Sequence, residues 1–237
     1  FFDLLFDAYV IIRSWTCHRK YEHSLLCILL ILFEPSCLFF QFFLYYKKSF
    51  SGGFTMSITV HTTHFTERPD CTGRLEKEQR VYDLLEQLHI SFEGVDHDTA
   101  NTIEDCEAVE AELGVKICKN LFLRNRQKTT FYLLMMPGDK KFVTKDLSGQ
   151  LGISRLSFAE PEFMEEYLDL TPGSASVLGL MNDPDREVNL LIDEDLLKDE
   201  YIGCHPCINT STLKIRTADI LNVFLKHTGH RPTLVRL

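Results

Sequence analysis

Between Arg74 and Leu88, apolar side chains recur at Leu75, Val81, Leu84, Leu85 and Leu88 among charged ones, the spacing of an amphipathic helix with one solvated face. A second helix is predicted from Asn101 or Thr102 to about Leu113. There Glu104 and Asp105 give a capping-box pattern and Gly114 supplies the stop. Beyond it the period shortens. Val115 to Leu123 and Thr129 to Met136 read as two strands of a hairpin, joined by the polar turn Asn125 to Lys128. A helix from about Lys145 to Leu151, a strand around Arg155 to Phe158 and a helix from Glu162 to Leu168 follow, closed by Pro172 and Gly173. Further strands are predicted at Val177 to Met181, Val188 to Ile192, Tyr201 to His205 and Thr212 to Arg216. A last helix runs from Ala218 to His227 and ends at Gly229. Strands and helices neither alternate regularly nor repeat. The pattern therefore predicts a single α+β domain, a mixed and partly barrel-like sheet surrounded by helices, rather than a doubly wound fold.

The first 55 residues have a different character. The chain opens on Phe1, and its first methionine is Met56. Ser24 to Tyr46 is long enough to cross a bilayer and is flanked by Arg19 and Lys20, Lys47 and Lys48, with Glu34 and Pro35 near its middle. Three readings stand side by side: an upstream stretch translated in frame, a leader or anchor that would bring a membrane into play at residues 24–46, and a disordered extension. Met56 is taken as the functional start, residues 57–237 as the working domain, and Ser51, Gly52 and Gly53 as a linker.

A chain of 237 residues that is 45% hydrophobic can bury one good core without a disulfide or metal staple. Its formal charge of −9 favours solubility and argues against a general, histone-like nucleic-acid binder. Between Val115 and Lys145, however, eight basic residues (Lys116, Lys119, Arg124, Arg126, Lys128, Lys140, Lys141 and Lys145) face one acidic residue, Asp139, a local excess of seven. Such a block suits a polyanion, and equally a solvated hairpin face. Past the first segment the cysteines number five (Cys71, Cys106, Cys118, Cys204 and Cys207), an odd count that points to reduced thiols and a cytoplasmic protein. No GxSxG elbow and no HExxH helix occurs.

Five stretches carry a family resemblance. CKNLFLRN at Cys118 to Asn125 resembles the prolyl-tRNA editing domains related to YbaK and ProX. SRLSFA at Ser154 to Ala159, LTPGSASVLGLMND at Leu170 to Asp183, the His-Pro, Asn and Thr of His205 to Thr210, and TGHRPTLV at Thr228 to Val235 follow in the family's order and spacing. The resemblance covers roughly Leu75 to the C-terminus and is most like the ProX branch. It implies trans-editing: hydrolysis of alanine wrongly attached to tRNA(Pro), with the acceptor end of that tRNA as partner and prolyl-tRNA synthetase as a possible second. It implies no DNA, cofactor or metal. Lys119 would hold the terminal phosphate or ester region, with Asn120 orienting it. Gly173, Ser174, Ala175 and Ser176 would offer backbone N–H groups to the ester carbonyl. A ribose hydroxyl and a water would supply much of the chemistry, and a snug pocket would refuse proline by bulk. His205 and Asn209 would line the adenosine pocket, and Arg155 and Arg124 would meet the acceptor stem. His97 and Thr102 agree with a family stretch that also borders the substrate.

Departures and rivals remain. Val177 stands where the family usually has proline, and Asp98 and Asn101 differ from its pattern. A tRNA-binding module without catalysis, or a deacylase for cysteine or serine on tRNA, keeps the fold with a different activity. Cys204-His205-Pro206-Cys207 also admits a redox pair or half of a zinc site.

Overall fold

A computed structural model describes residues 59–61, 63–100 and 103–237; the readings of residues 1–55, of Met56 and of Asn101 and Thr102 lie outside these. Among the described residues no helix is long and apolar enough to cross a membrane.

The elements in chain order are α1 (Glu76–Gln87), β1 (Phe92–Asp96), α2 (Ile103–Leu113), β2 (Lys119–Arg124), β3 (Phe131–Met136), α3 (Thr144–Leu151), β4 (Ser157–Phe158) and α4 (Pro161–Leu168). A 3₁₀ helix (Val177–Asn182), β5 (Val188–Asp193), a second 3₁₀ helix (Glu194–Lys198), β6 (Tyr201–Cys204) and β7 (Ser211–Arg216) follow. The closing helical stretch has a first α segment, α5 (Thr217–Asp219), a π turn (Ile220–Phe224) and α6 (Leu225–Thr228), before β8 (Thr233–Val235).

Two sheets result: one of three strands, ordered β1-β7-β6 and antiparallel throughout, and one of five, ordered β4-β2-β3-β5-β8. In the larger sheet β2 pairs antiparallel with β3 and β4, while β5 runs parallel to β3 and to β8, so the sheet is mixed as predicted. β3 sits at its centre and is apolar on both faces. Phe131, Leu133 and Met135 enter the main core with Tyr82 and Leu85 of α1, whereas Leu134 and Met136 enter a second core beneath Leu147 of α3. Alternation across a strand buried on both sides produces that division.

Neither sheet closes into a barrel. They are joined where the chain leading into β2 crosses to β6: Ile117 bridges Gly203 in parallel, the Cys118 N–H donates to the Gly203 carbonyl at 2.9 Å, and the Gly203 N–H to the Lys116 carbonyl at 2.8 Å. The first hairpin strand therefore begins at Lys119 rather than Val115, because residues 115–118 serve the other sheet. The hairpin itself, α1, α3, α4, β5, β6 and β7 form where periodicity placed them.

Val177 to Met181 is a correction. The expected strand is a 3₁₀ helix, started by the Ser176 hydroxyl, which accepts from the Leu178 N–H at 3.2 Å, and buried at Val177, Leu178 and Leu180. A short apolar run does not distinguish a buried strand from a buried helical turn. Two strands carried no legible signal. β1 reads FEGVD, with Gly94 lying under the Phe65 ring so closely that a Cβ there would sit 2.5 Å from it. β8 has only three residues.

A Cβ at Gly203 would come within 3.0–3.1 Å of Ile117 and the Lys116 carbonyl, two of those three contacts being backbone. Gly203→Ala is expected to destabilise the fold by about 1–3 kcal/mol through overpacking at this crossing. Urea denaturation of the variant beside wild type measures it.

Candidate active site

The crossing that joins the sheets also opens a cleft. Its walls are α2, the lead-in to β2, the loop after β3 and the turn at residues 173–175, and it encloses about 380 Å³. Lys119, Asn120, Gly173, Ala175 and His205, five of the positions singled out from the sequence, line it together.

Lys119 opens β2. Its ammonium donates to the Lys140 carbonyl at 3.0 Å, which holds the charge against the loop following β3. Next to it, the Asn120 side-chain nitrogen makes only long contacts of 3.4 Å, to the carbonyl and sulfur of Cys118. Its Oδ1 is buried with no hydrogen-bond partner. A buried acceptor left unmatched costs on the order of 1–3 kcal/mol, so it marks a place where a donor from outside is wanted.

His205 lies just beyond β6. Its Nδ1 is 2.9 Å from the Ser211 carbonyl and 3.3 Å from the Thr212 hydroxyl. A carbonyl only accepts, so Nδ1 bears the proton and Nε2 is left as an acceptor. His97 stands behind it, ring centroids 6.1 Å apart, with its Nδ1 2.7 Å from the Asp98 carbonyl and its Nε2 2.9 Å from the Thr212 hydroxyl. By the same logic Thr212 donates to His97 and receives from His205. His97 thus supports His205 from the core rather than bordering the cleft. Burial pushes both imidazoles below their ordinary pKa, His205 to about 4. Both are neutral near neutral pH.

The turn divides in function. Gly173 (φ +91°) and Ala175 face the cleft. Ser174 and Ser176 are buried: the Ser174 hydroxyl donates to the Thr171 carbonyl at 2.9 Å, its N–H goes to the same carbonyl, and the Ser176 hydroxyl caps the 3₁₀ helix. The expectation that all four N–H groups of the turn are available is therefore corrected at Ser174, whose N–H is already occupied. Asn209 is placed behind the turn, its amide nitrogen 3.0 Å from where a Cβ on Gly173 would be, so it braces Gly173.

The two arginines sit elsewhere. Arg124, at the far end of β2, makes paired bonds of 2.9 and 2.8 Å to the Glu160 carboxylate, which Lys128 also contacts and which is thereby held at about 2. Arg155 is exposed, with its Nε on the Thr144 hydroxyl at 3.1 Å. Of the eight cations in the basic block, Lys116, Arg124, Lys128 and Lys140 are spent in ion pairs with Glu110, Glu160, Asp193 and Asp195. The cysteines of the CxxC are buried, and burial pushes the Cys207 thiol up to about 12, away from the thiolate that redox exchange requires.

Cys106, Glu107 and Glu110 of α2 and Gly138 and Asp139 of the loop complete the lining. Periodicity did not find them, because the polar face of α2 reads as solvated. Gly138 is required there by space, since a Cβ would meet the Ile117 carbonyl at 2.4 Å.

His205 generates a pH prediction. Its folded pKa of about 4 lies below the ordinary 6.5, so between those values the unfolded chain binds more protons and stability falls as pH falls. Denaturation midpoints are expected to drop progressively from pH 6.5 to 4, and less so in His205→Asn. Nuclear magnetic resonance of the His205 ring should show no titration near pH 6.5.

Comparison with known proteins agrees with this architecture. The chain is 33% identical over 146 residues to the prolyl-tRNA editing protein ProX of Acetoanaerobium sticklandii, covering 62% of this chain and 89% of that protein. It is 34% identical over 166 residues to prolyl-tRNA synthetase associated domain-containing protein 1 of Mus musculus, covering 68% and 95%. A solved structure assigned as a trans-editing enzyme for prolyl tRNA synthetase shares the fold, with a TM-score of 0.50 at 20% identity over 69% of this chain and 98% of that one. The model of the aminoacyl-tRNA editing domain family matches residues 97–223, from His97 through the cleft into the closing helical stretch, and the chain belongs to that family.

Proposed function

We propose that this chain is a trans-editing deacylase that hydrolyses alanine from mischarged tRNA(Pro). The observation that carries the reading is the orphaned Asn120 Oδ1 in a cleft also lined by Lys119, Gly173, Ala175 and His205. The family, and the names of the bacterial and mouse relatives, support tRNA(Pro) as the substrate and prolyl-tRNA synthetase as the associated partner.

The α-ammonium of the aminoacyl group supplies the donor that Asn120 Oδ1 lacks. The Lys119 ammonium meets the terminal phosphate or ester region as a point charge. The ester carbonyl faces the turn, where the Ala175 N–H makes no hydrogen bond among the described residues and can stabilise the developing oxyanion. His205 Nε2 accepts from a ribose hydroxyl. Water adds to the carbonyl carbon, the bond to the ribose oxygen breaks, and that oxygen takes up a proton, releasing alanine and free tRNA. Small residues on the wall (Ala100, Gly138, Gly173 and Ala175) leave space for a methyl side chain. A proline ring is excluded by its bulk, a discrimination that acts through a clash instead of through binding.

We assign this activity to residues 57–237 and, on the odd count of five cysteines past the first segment, to the cytoplasm. Lys119→Ala is expected to lower deacylation of Ala-tRNA(Pro) by about 100-fold or more, the scale of losing one oriented electrostatic contact at the reacting centre. The far-ultraviolet circular dichroism and melting temperature should stay at wild-type values. The assay compares Ala-, Pro- and Cys-tRNA(Pro). Wild-type turnover in the mutant removes Lys119 from the mechanism, and release of cysteine alone changes the amino acid edited.

A further inference from the structure

The cleft accounts for the aminoacyl end of a tRNA but not for the single strand that leads to it. The loop after β3 runs from the cleft outward. Gly138 and Asp139 line the cleft, Lys140 is tied to Asp193 and Asp195, and the chain then surfaces at Lys141 and Val143, with Phe142 between them half-buried, before entering α3. Beside this loop lies β4, the two-residue edge of the larger sheet. There Phe158 is 58% exposed, although its ring packs edge-to-face on Phe142 with centroids 6.1 Å apart. Val143 and Ile153 are also exposed. Phe158 is paired opposite Leu123, which alternates along β2 onto the same sheet face as Leu121 and Lys119. Four residues of strand place it about 13 Å from Lys119, a span of a few nucleotides.

Charge says what covers this surface. Lys141, Lys145 and Arg155 are exposed and enter no ion pair among the described residues, and Arg155 is pinned beside the start of α3 by its bond to Thr144. Asp146 is the carboxylate on the same first turn of α3. Three free cations around an exposed aromatic ring, in a chain of net charge −9, form a local polyanion site with a stacking face.

We propose that this surface receives the unpaired 3′-end nucleotides that precede the terminal residue of the tRNA, one base stacking on Phe158 and the phosphates lying along Lys141, Lys145 and Arg155. The proposal rests on the deacylase reading for its direction into the cleft.

The test uses the full chain and an uncharged RNA hairpin, either with a single-stranded 3′ ACCA end or blunt. Wild type is expected to prefer the overhang. Phe158→Ala should lose about five-fold or more in affinity for the overhang alone, Phe158→Trp should retain it, and Lys141→Ala with Lys145→Ala should weaken the overhang RNA more than the blunt one and flatten its salt dependence. Equal overhang preference in Phe158→Ala and wild type overturns the proposal. So does a concentration-dependent dimer that Phe158→Ala abolishes while RNA affinity stays put, since a second copy would then be the occupant. Deacylation kinetics separate the two readings: KM for Ala-tRNA(Pro) should rise in Phe158→Ala far more than KM for the alanyl ester of adenosine, which lacks the upstream nucleotides. If wild type hydrolyses neither ester yet its overhang preference depends on Phe158, the deacylase reading fails and the surface stands.

Discussion

The crossing of residues 116–118 over Gly203 is the constraint on which the rest of the architecture depends. Two backbone hydrogen bonds join sheets that also share the main core, and they form because residue 203 has no side chain to hold Ile117 away. The same crossing sets where β2 begins and so places Lys119 at a strand end, on the rim of a cleft. Gly138 repeats the device on the opposite wall, passing under the Ile117 carbonyl. One backbone segment is thus clasped by glycines from both sides. Cleft geometry and fold stability are coupled through it, as close packing requires, since dense interiors transmit small displacements.

Polar groups near the cleft fall into two kinds. His205, Thr212 and His97 form a chain in which every donor meets an acceptor, ending at the Asp98 carbonyl, and burial keeps both rings neutral. Such a chain rigidifies what it holds. Asn120 is of the other kind, with an acceptor that the folded protein leaves unmatched. Buried polar atoms are nearly always paired, and of the two exceptions among the described residues, Arg80 Nε and Asn120 Oδ1, only the second lies in the cleft. A rigid wall carrying one unsatisfied acceptor is preorganised for a ligand that brings a donor.

Charge behaves less simply than its distribution along the chain implies. The basic block suited a polyanion and a solvated hairpin face equally, and half of its cations are committed to carboxylates contributed by α2, the residue before α4 and the end of β5. What remains of the block for a polyanion is Lys119 at the cleft, Arg126 in the hairpin turn, and Lys141 and Lys145 near Phe158. A linear count of charge reports composition, and the three-dimensional pairing decides which charges are available.

The strongly periodic elements, namely α1, the β2–β3 hairpin, α3, α4 and β5 to β7, were legible from the order of residues, because each buries a face whose period the residues themselves repeat. The motif positions Lys119, Asn120, Gly173, Ala175 and His205 were legible too, through resemblance and not through any local pattern. Tertiary structure alone decided the rest. β1 depends on a glycine packed under Phe65, and the turn from Ser176 to Asn182 is helical because a hydroxyl caps it, which hydropathy does not register. Arg124 became a structural ion pair because Glu160, distant in the chain, arrives beside it. Local sequence encodes which face of an element is apolar; which atoms are left without partners is settled only when all elements meet, and among the described residues these are Arg80 Nε on α1 and Asn120 Oδ1 in the cleft.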